Sequence, residues 1–143
     1  TVGRSAAALA LFDRDETDRA NDLFQFHPRI EAGRRLAGAA TAMMDSSDGL
    51  ARSLHQLAEA SDCGFAIDRD SVPIDASVDA LDVDRWEAGV HFGEDFELVF
   101  AIPDAALSAV ETDVPISVIG RATDAEAGVT ADGEPLPDRG YTH

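Results

Sequence analysis

Two carboxylates stand three residues apart where a short apolar run meets a helical pattern, in the segment AMMDSSDGL at positions 42–50. Asp45 directly follows the apolar residues, and Asp48 precedes Gly49 and the first leucine of the helical pattern. A carboxylate at the end of a buried strand is expected to be partly desolvated, so its charge needs a compensating partner. Two such carboxylates suit Mg²⁺, which binds one or two of them together with waters and substrate phosphates.

The turn between this strand and the following helix also offers an anion site. The first backbone N–H groups of a helix lie at its positive end and suit a phosphate, and Gly49 lets a ligand approach the backbone closely. A plain helix cap is the alternative, in which Ser46 or Ser47 caps the helix and Asp48 interacts with the helix dipole. The cap explains the serines and Asp48 but leaves Asp45 without a role.

A second carboxylate cluster lies in the segment HFGEDFELVF at positions 91–100. Gly93 predicts a tight turn or a positive φ, and Glu94 and Asp95 directly precede the strongest predicted strand. Strand ends in a sheet covered by helices often border a ligand crevice, whereas the alternative is a solvated turn. We interpret His91 as a residue at the rim of such a crevice.

Hydrophobic periodicity predicts the elements that position these two segments. Strands are expected at 42–44, 65–67, 96–102 and 116–119, with a hairpin turn at Asp132-Gly133. Helices are expected at 5–12 with Ser5 as the cap, from Pro28 to Ala37, from Leu50 until Gly64 stops it, and from Pro103 to Val110. Residues 13–22 are expected to form a solvated loop or helix end, and residues 68–85 a surface connection with one helical turn. This order predicts an α/β or α+β fold, a mixed β-sheet covered by helices.

Composition excludes several classes of function. The 143 residues contain 28 acidic and 11 basic residues, all of the latter arginine, for a net charge of −17. Such a surface is typical of adaptation to concentrated salt, and it lacks the basic patch that nucleic-acid binding requires. The lone Cys63 cannot form an internal disulfide, and the longest apolar run is far shorter than the roughly 20 residues of a membrane span. We expect a cytoplasmic protein without a signal peptide, and because the chain begins with Thr1 we expect a piece of a longer one.

Taken together, the motifs resemble the thiamine-monophosphate kinase family, within the superfamily of aminoimidazole ribonucleotide synthetase. The segment at positions 45–50 is similar to the family's D-x-S-D-G-L signature, and GEDFELVFAIP to its G-G-E-D-Y/F-E-L. TVGRSAAALALF resembles G-x-S-A-A-G-L-A-L, and the closing RGYTH resembles G-W/F/Y-D-H-F. The resemblance implies the C-terminal domain of a two-domain kinase, forming a single domain over residues 1–143, with the N-terminal half absent.

The resemblance also implies an activity and a set of site residues. The family transfers the γ-phosphoryl group of ATP to thiamine monophosphate in a Mg²⁺-dependent reaction, giving thiamine diphosphate. The residues carried over by their matching positions are the metal ligands Asp45 and Asp48, the ATP contacts Ser47 and Gly49, and the substrate contacts Glu94, Asp95 and Tyr141. Asp95 is expected to support Glu94, and Tyr141 to pack on the substrate's ring system.

This sequence departs from the family pattern at several positions, and alternatives stay open for that reason. His91 and Phe92 replace Ser-Gly before the second motif, and Thr142 replaces the expected Asp. The absent half is expected to carry further metal ligands and to form a homodimer, so the chain alone should show little or no kinase activity. The alternatives are another enzyme of the superfamily, a non-catalytic phosphate-binding domain, and an acidic packing module without a ligand.

Overall fold

Helices and strands alternate irregularly along the part of the chain that the structure describes. The computed structural model describes residues 1–140. The helices are α1 (Arg4–Phe12), α2 (Thr17–Phe24), α3 (Ile30–Leu36), α4 (Leu50–Ser61), α5 (Arg85–Val90) and α6 (Asp104–Leu107). The strands are β1 (Ala42–Ser46), β2 (Cys63–Ile67), β3 (Glu97–Ala101), β4 (Gly120–Asp124), β5 (Val129–Ala131) and β6 (Glu134–Pro135).

The strands form two sheets rather than the single mixed sheet that the sequence predicts. β1 and β3 pair antiparallel, with Asp45 opposite Leu98 and Ser46 opposite Glu97. The second sheet has the order β4-β2-β5-β6 and is mixed, because β2 and β5 are parallel while the other pairs are antiparallel. The architecture is α+β, which confirms the predicted class.

The main apolar core lies between α4 and the strands. Leu50, Leu54, Leu57 and Ala58 are buried on one face of α4, which is the i, i+4, i+7, i+8 spacing expected of an amphipathic helix. They belong to the same buried cluster as residues of β2, β3 and β5. The start of α4 and the end of β1 are therefore held by the core, and the turn between them is positioned by it.

Most of the predicted elements are confirmed, often with shifted ends. The strands predicted at 42–44, 65–67 and 96–102 are β1, β2 and β3, and the helix after Pro28 is α3. Asp132 and Gly133 have φ values of 51° and 82°, the positive pair of a two-residue hairpin turn between β5 and β6. The helix after Pro103 is confirmed as α6, which ends at Leu107 without reaching Val110.

The predicted strand at 116–119 is wrong, because the strand lies directly after these residues. The strand is β4, which begins at Gly120, the residue that we expected to end it. A Cβ atom on Gly120 would lie 2.2 Å from the carbonyl oxygen of Ala66, so glycine lets this chain approach β2. Gly64 likewise lies within β2, and α4 ends three residues before it, at Ser61, followed by Asp62 in the left-handed conformation at φ 50°.

Other local predictions are also corrected. Ser5 does not cap α1, because the N-cap is Gly3 and Ser5 lies inside the helix, 4% exposed. Part of the expected loop at 13–22 is helical, since α2 begins at Thr17. The connection at 68–85 contains two short 3₁₀ helices, Arg69–Ser71 and Ala76–Ala80, where one helical turn is expected. No helix within residues 1–140 combines the length and apolar character that crossing a bilayer requires.

Candidate functional site

The turn between β1 and α4 is built around a glycine rather than a capping serine. Gly49 is the N-cap of α4 at φ 105°, and no side chain caps the helix. Ser46 is 2% exposed at the end of β1, and the predicted cap by Ser46 or Ser47 is therefore wrong. The first backbone N–H groups of α4 remain at the positive end of a 12-residue helix, without a side-chain partner among the described residues.

Asp45 is exposed, which corrects the expectation that it is partly desolvated. Strand residues alternate between faces, so Met44 and Ser46 point to the core side and Asp45 to the other. Within residues 1–140 no group forms a hydrogen bond or ion pair with the Asp45 carboxylate. Its charge therefore needs no partner for the domain to fold, and the carboxylate is accessible to a ligand.

Asp48 lies in the turn itself and is partly buried. The Ser47 hydroxyl donates to Asp48 Oδ1 at 3.4 Å. Arg52, one helical turn further on, forms an ion pair with Asp138 at 2.6 Å. That hydrogen bond raises the pKa of the Arg52 guanidinium, and the charge of Asp48 acts in the same direction. The only positive side chain that the sequence places near this turn is therefore held by another acid.

The loop at 91–96 packs directly on this turn, backbone against backbone. Glu94 N donates to the carbonyl oxygen of Ser47 at 2.7 Å. Gly93 has φ 88°, and a Cβ atom on it would lie 2.6 Å from the same oxygen. A Cβ atom on Gly49 would lie 3.0 Å from the carbonyl oxygen of His91, so Gly49 provides room for the loop. The structure thus brings together the two carboxylate segments that the sequence singles out.

Glu94 and Asp95 are placed differently within this loop. Glu94 has φ 61° and its carboxylate has no hydrogen-bond partner among the described residues. Asp95 accepts from the backbone N–H of Gly3 at 2.5 Å and from that of Ser5 at 3.0 Å. Burial raises the pKa of the Asp95 carboxyl, and these two N–H groups offset only part of the rise. Both oxygens of Asp95 are therefore occupied by the start of α1, and Glu94 is the side chain left for a ligand.

The segment at 136–140, which includes the start of the closing RGYTH motif, packs against the same turn and loop. It is held by the ion pair from Arg52 to Asp138, by His55 Nε2 at 2.8 Å from the Leu136 carbonyl oxygen, and by His91 Nδ1 at 3.2 Å from the Arg139 carbonyl oxygen. No pattern in the sequence predicts these long-range contacts. His91 thus has a packing role that fits its predicted place at a rim.

This segment brings the end of the described chain to the turn. A Cβ atom on Gly140 would lie 2.2 Å from the carbonyl oxygen of Asp48, so the chain passes against the turn at this glycine. Tyr141, the predicted substrate contact, lies outside the described residues.

The donor set fits part of a magnesium site. Asp45 and Asp48 offer hard carboxylate oxygens, the type and number that Mg²⁺ takes from a protein when phosphates and waters complete its coordination. No group of three or more His, Cys, Asp or Glu side chains within residues 1–140 is arranged to hold a metal ion. The two carboxylates would therefore be only part of a coordination shell, and its other ligands would have to come from a substrate, water or other protein residues.

Comparison with known proteins places these observations in a family. The family model described as AIR synthase related protein, C-terminal domain, matches residues 2–132. A thiamine-monophosphate kinase of Halobacterium salinarum is 56% identical over all of this chain and 50% of its own length. A thiamine-monophosphate kinase of Methanospirillum hungatei is 39% identical over 85% of this chain and 41% of its own length.

A solved structure gives the same result in three dimensions. The structure of AaThiL complexed with AMPPCP and TMP matches all of this chain and 48% of its own chain, with a TM-score of 0.86 and 25% identity. This chain thus spans about half the length of the relatives that it matches.

Proposed function

The chain belongs to the AIR synthase related protein family as its C-terminal domain, and from this premise we propose that it supplies half of an ATP-dependent thiamine-monophosphate kinase. The reaction transfers the γ-phosphoryl group of ATP to a phosphate oxygen of thiamine monophosphate, leaving ADP and thiamine diphosphate. The relatives' names support the activity, and a complex with AMPPCP and TMP supports an ATP-like and a phosphate-bearing ligand in the same fold.

The residues of the chain suit this chemistry by position and charge. Attacking and leaving groups are both phosphates, so the site needs positioning and charge compensation rather than a strong base. Asp45 and Asp48 would hold Mg²⁺, which supplies positive charge to the reacting phosphates when bound. The Ser47 hydroxyl and the first N–H groups of α4 would bind nucleotide phosphates, and Glu94 would contact the thiamine phosphate.

One observation carries the proposal. The backbone N–H of Glu94 donates to the carbonyl oxygen of Ser47 at 2.7 Å. The loop that carries the Glu94 carboxylate is therefore joined directly to the turn that carries Asp45 and Asp48. A transfer between two bound phosphates requires the groups that bind each of them to be adjacent. We further propose that the residues missing relative to the kinases provide the other metal ligands and a homodimer contact, and that the whole protein is cytoplasmic.

A hybrid enzyme tests the proposal. The half of the Halobacterium salinarum kinase that matches this chain is replaced by residues 1–143, and formation of thiamine diphosphate is measured with ATP and Mg²⁺ in concentrated KCl. We expect the hybrid to be active and Asp45→Asn to reduce kcat at least about 100-fold, as for loss of a metal ligand. Because Asp45 is exposed, the same change should alter the free energy of unfolding by less than about 0.5 kcal/mol.

Three further results bear on the proposal. Glu94→Gln should raise KM for thiamine monophosphate, whereas Glu126→Gln, on an exposed residue elsewhere, should leave both substrates' KM unchanged. An inactive hybrid that is folded and binds AMPPCP would favour the non-catalytic phosphate-binding alternative, and turnover of aminoimidazole precursors instead would favour the sister enzyme. The 143-residue chain alone should show little or no turnover, and robust activity would contradict the division of the site between two halves.

A further inference from the structure

Both backbone polar groups of Glu94, the N–H and the carbonyl oxygen, are hydrogen-bonded to other segments. Its N–H donates to the Ser47 carbonyl oxygen, and its carbonyl oxygen accepts from the Ser5 hydroxyl at 2.7 Å. The hydroxyl comes from the first turn of α1, and Ser5 is 4% exposed. The backbone of Glu94 is thus held between the turn that joins β1 to α4 on one side and α1 on the other.

Asp95 joins the same two elements through a second set of contacts. The N-cap of α1 is Gly3, which has no side chain to cap the helix, and the Asp95 carboxylate instead accepts from the N–H groups of Gly3 and Ser5. A carboxylate at this end of a helix is favoured by the unpaired N–H groups and by the helix dipole. The cap is therefore supplied by a residue about 90 positions away in the sequence.

These contacts hold the loop in a conformation that its residues do not adopt by themselves. Glu94 at φ 61° and Phe96 at φ 51° are both left-handed, on either side of Asp95. For residues with a side chain this region is unfavourable, so it persists only where surrounding contacts impose it. The backbone N–H and carbonyl of Glu94 are both bonded, and its carboxylate is the part of the residue that has no partner among residues 1–140.

We infer that Ser5 and Asp95 are positioning residues that lock the Glu94 loop to α1 and so set the place of the Glu94 carboxylate. Asp95 then acts through α1 and the loop backbone, which gives a structural route for the support of Glu94 that the resemblance implies. The inference that this matters for substrate rests on the proposed function, in which Glu94 contacts the thiamine phosphate. The lock itself is a property of the chain and can be measured without activity.

Amide hydrogen exchange on the 143-residue chain tests the lock. Ser5→Ala removes the hydroxyl and leaves both hydrogen bonds that the Asp95 carboxylate accepts from the backbone N–H groups of Gly3 and Ser5. We expect the Glu94 amide to exchange about tenfold faster, as for the loss of one hydrogen bond, while the core amide of Phe65 is unchanged. Ser5→Thr retains the hydroxyl and should restore slow exchange, and Ser108→Ala, at an exposed serine, should have no effect.

Asp95→Asn separates this inference from a simple helix cap. If Asp95 also positions Glu94, exchange should increase at the amides of Gly3, Ser5 and Glu94 together. Faster exchange at Gly3 and Ser5 with an unchanged Glu94 amide would overturn the role of Asp95. An unchanged Glu94 amide in Ser5→Ala would overturn that of Ser5. If Asp95→Asn also increases the exchange rate of the Phe65 amide, the variant has lost its fold. The Glu94 exchange rate in Ser5→Ala then decides whether the loop is locked to α1.

Kinetics of the hybrid enzyme link the lock to the substrate. Ser5→Ala should raise KM for thiamine monophosphate about tenfold and leave KM for ATP unchanged, because the Ser47 side of the loop is intact. Equal changes in KM for thiamine monophosphate and KM for ATP would show a general structural effect. Such a result would overturn the specific role of Ser5 in placing the Glu94 carboxylate. An inactive unsubstituted hybrid would count against the proposed function alone, since the exchange experiment decides the lock independently.

Discussion

Glycine is required at the places where the two motif segments touch. Gly93, Gly49 and Gly140 each face a backbone carbonyl group of another segment at a distance that leaves little or no room for a side chain. The glycines of the two motifs therefore have a structural reason that is separate from ligand contact. The prediction that Gly49 contacts ATP stays a prediction, whereas its contact with the loop at 91–96 follows from the geometry.

Gly93→Ala should be more destabilising than an alanine substitution at a glycine of the same conformation in open space. Gly133 has φ 82° and nothing within 4 Å of its Cβ position, so Gly133→Ala should cost about 1 kcal/mol, the cost of a left-handed residue. Gly93→Ala adds a 2.6 Å contact with Ser47 O and should cost about 3 kcal/mol in total. Urea unfolding of both variants measures the difference, and equal values would contradict the close packing of loop and turn.

At the scale of elements, one ion pair fastens α3 to the site strand β3. Arg29 precedes α3, and its Nε and Nη2 donate to the two carboxylate oxygens of Glu97, both at 2.8 Å. Burial raises the pKa of the Glu97 carboxyl, but the hydrogen bonds from Arg29 and from the Thr1 amino group outweigh it and leave the pKa below its ordinary value of 4.5. A lowered pKa in the folded protein means that this contribution to stability is present above that value and is lost as the pH falls through the folded-state pKa.

Glu97→Gln should therefore lower the free energy of unfolding at pH 7 by about 1–2 kcal/mol, because a partly buried, bidentate pair is broken. The difference from the unsubstituted chain should shrink as the pH is lowered below 4.5. Glu31→Gln is the matched control, since Glu31 forms an exposed pair with Arg35 on α3 and should change stability by less than about 0.5 kcal/mol. Urea unfolding at several pH values measures both, and a pH-independent loss in Glu97→Gln would contradict the assigned ionisation.

The elements that the sequence predicts well are those with a strong local pattern. α4 has an apolar face of regular spacing, β3 is a nearly continuous apolar run, and the Asp132-Gly133 turn has a typical pair of residues. The strand β4 is predicted too early in the sequence because a glycine such as Gly120 is locally typical of a strand end. Its pairing with β2 is a long-range contact that no local pattern indicates. α5, at Arg85–Val90, was not predicted, because a six-residue helix lacks a full hydrophobic repeat.

The same distinction holds for the candidate site. The carboxylates of the two motifs were found from residue type and spacing, and the structure brings their segments together. The exposure of Asp45 depends on the pairing of β1 with β3 and could not be derived from the apolar residues before it. The helix cap by Asp95 joins positions 90 residues apart, and no local pattern in either segment indicates it.

At the scale of the whole molecule, acids greatly outnumber the bases that can pair with them. The chain has 28 acidic and 11 basic residues. Within residues 1–140, six arginines form ion pairs with carboxylates: Arg19, Arg29, Arg35, Arg52, Arg85 and Arg139. Most carboxylates are left to repel one another across the surface, and this repulsion destabilises the folded state at low ionic strength.

Salt should therefore stabilise the chain, and the shape of the dependence identifies screening as the cause. The Debye length falls from about 10 Å at 0.1 M salt to about 3 Å at 1 M, so most of the gain should be complete near 1 M. We expect the midpoint of thermal unfolding to rise by about 5 °C or more between 0.1 and 1 M KCl, and by less between 1 and 3 M.

A variant with fewer exposed acids separates charge repulsion from other effects of salt. Combining Asp82→Asn, Asp104→Asn and Glu126→Gln removes three negative charges remote from the candidate site, and the rise between 0.1 and 1 M should become smaller. The variant should also be more stable than the unsubstituted chain at 0.1 M, because part of the repulsion is gone. A midpoint that rises equally in both proteins, or that rises steadily up to 3 M, would contradict screening. It would indicate that salt acts through preferential exclusion from the protein surface. The net charge of −17 would then not be what limits the stability of this fold.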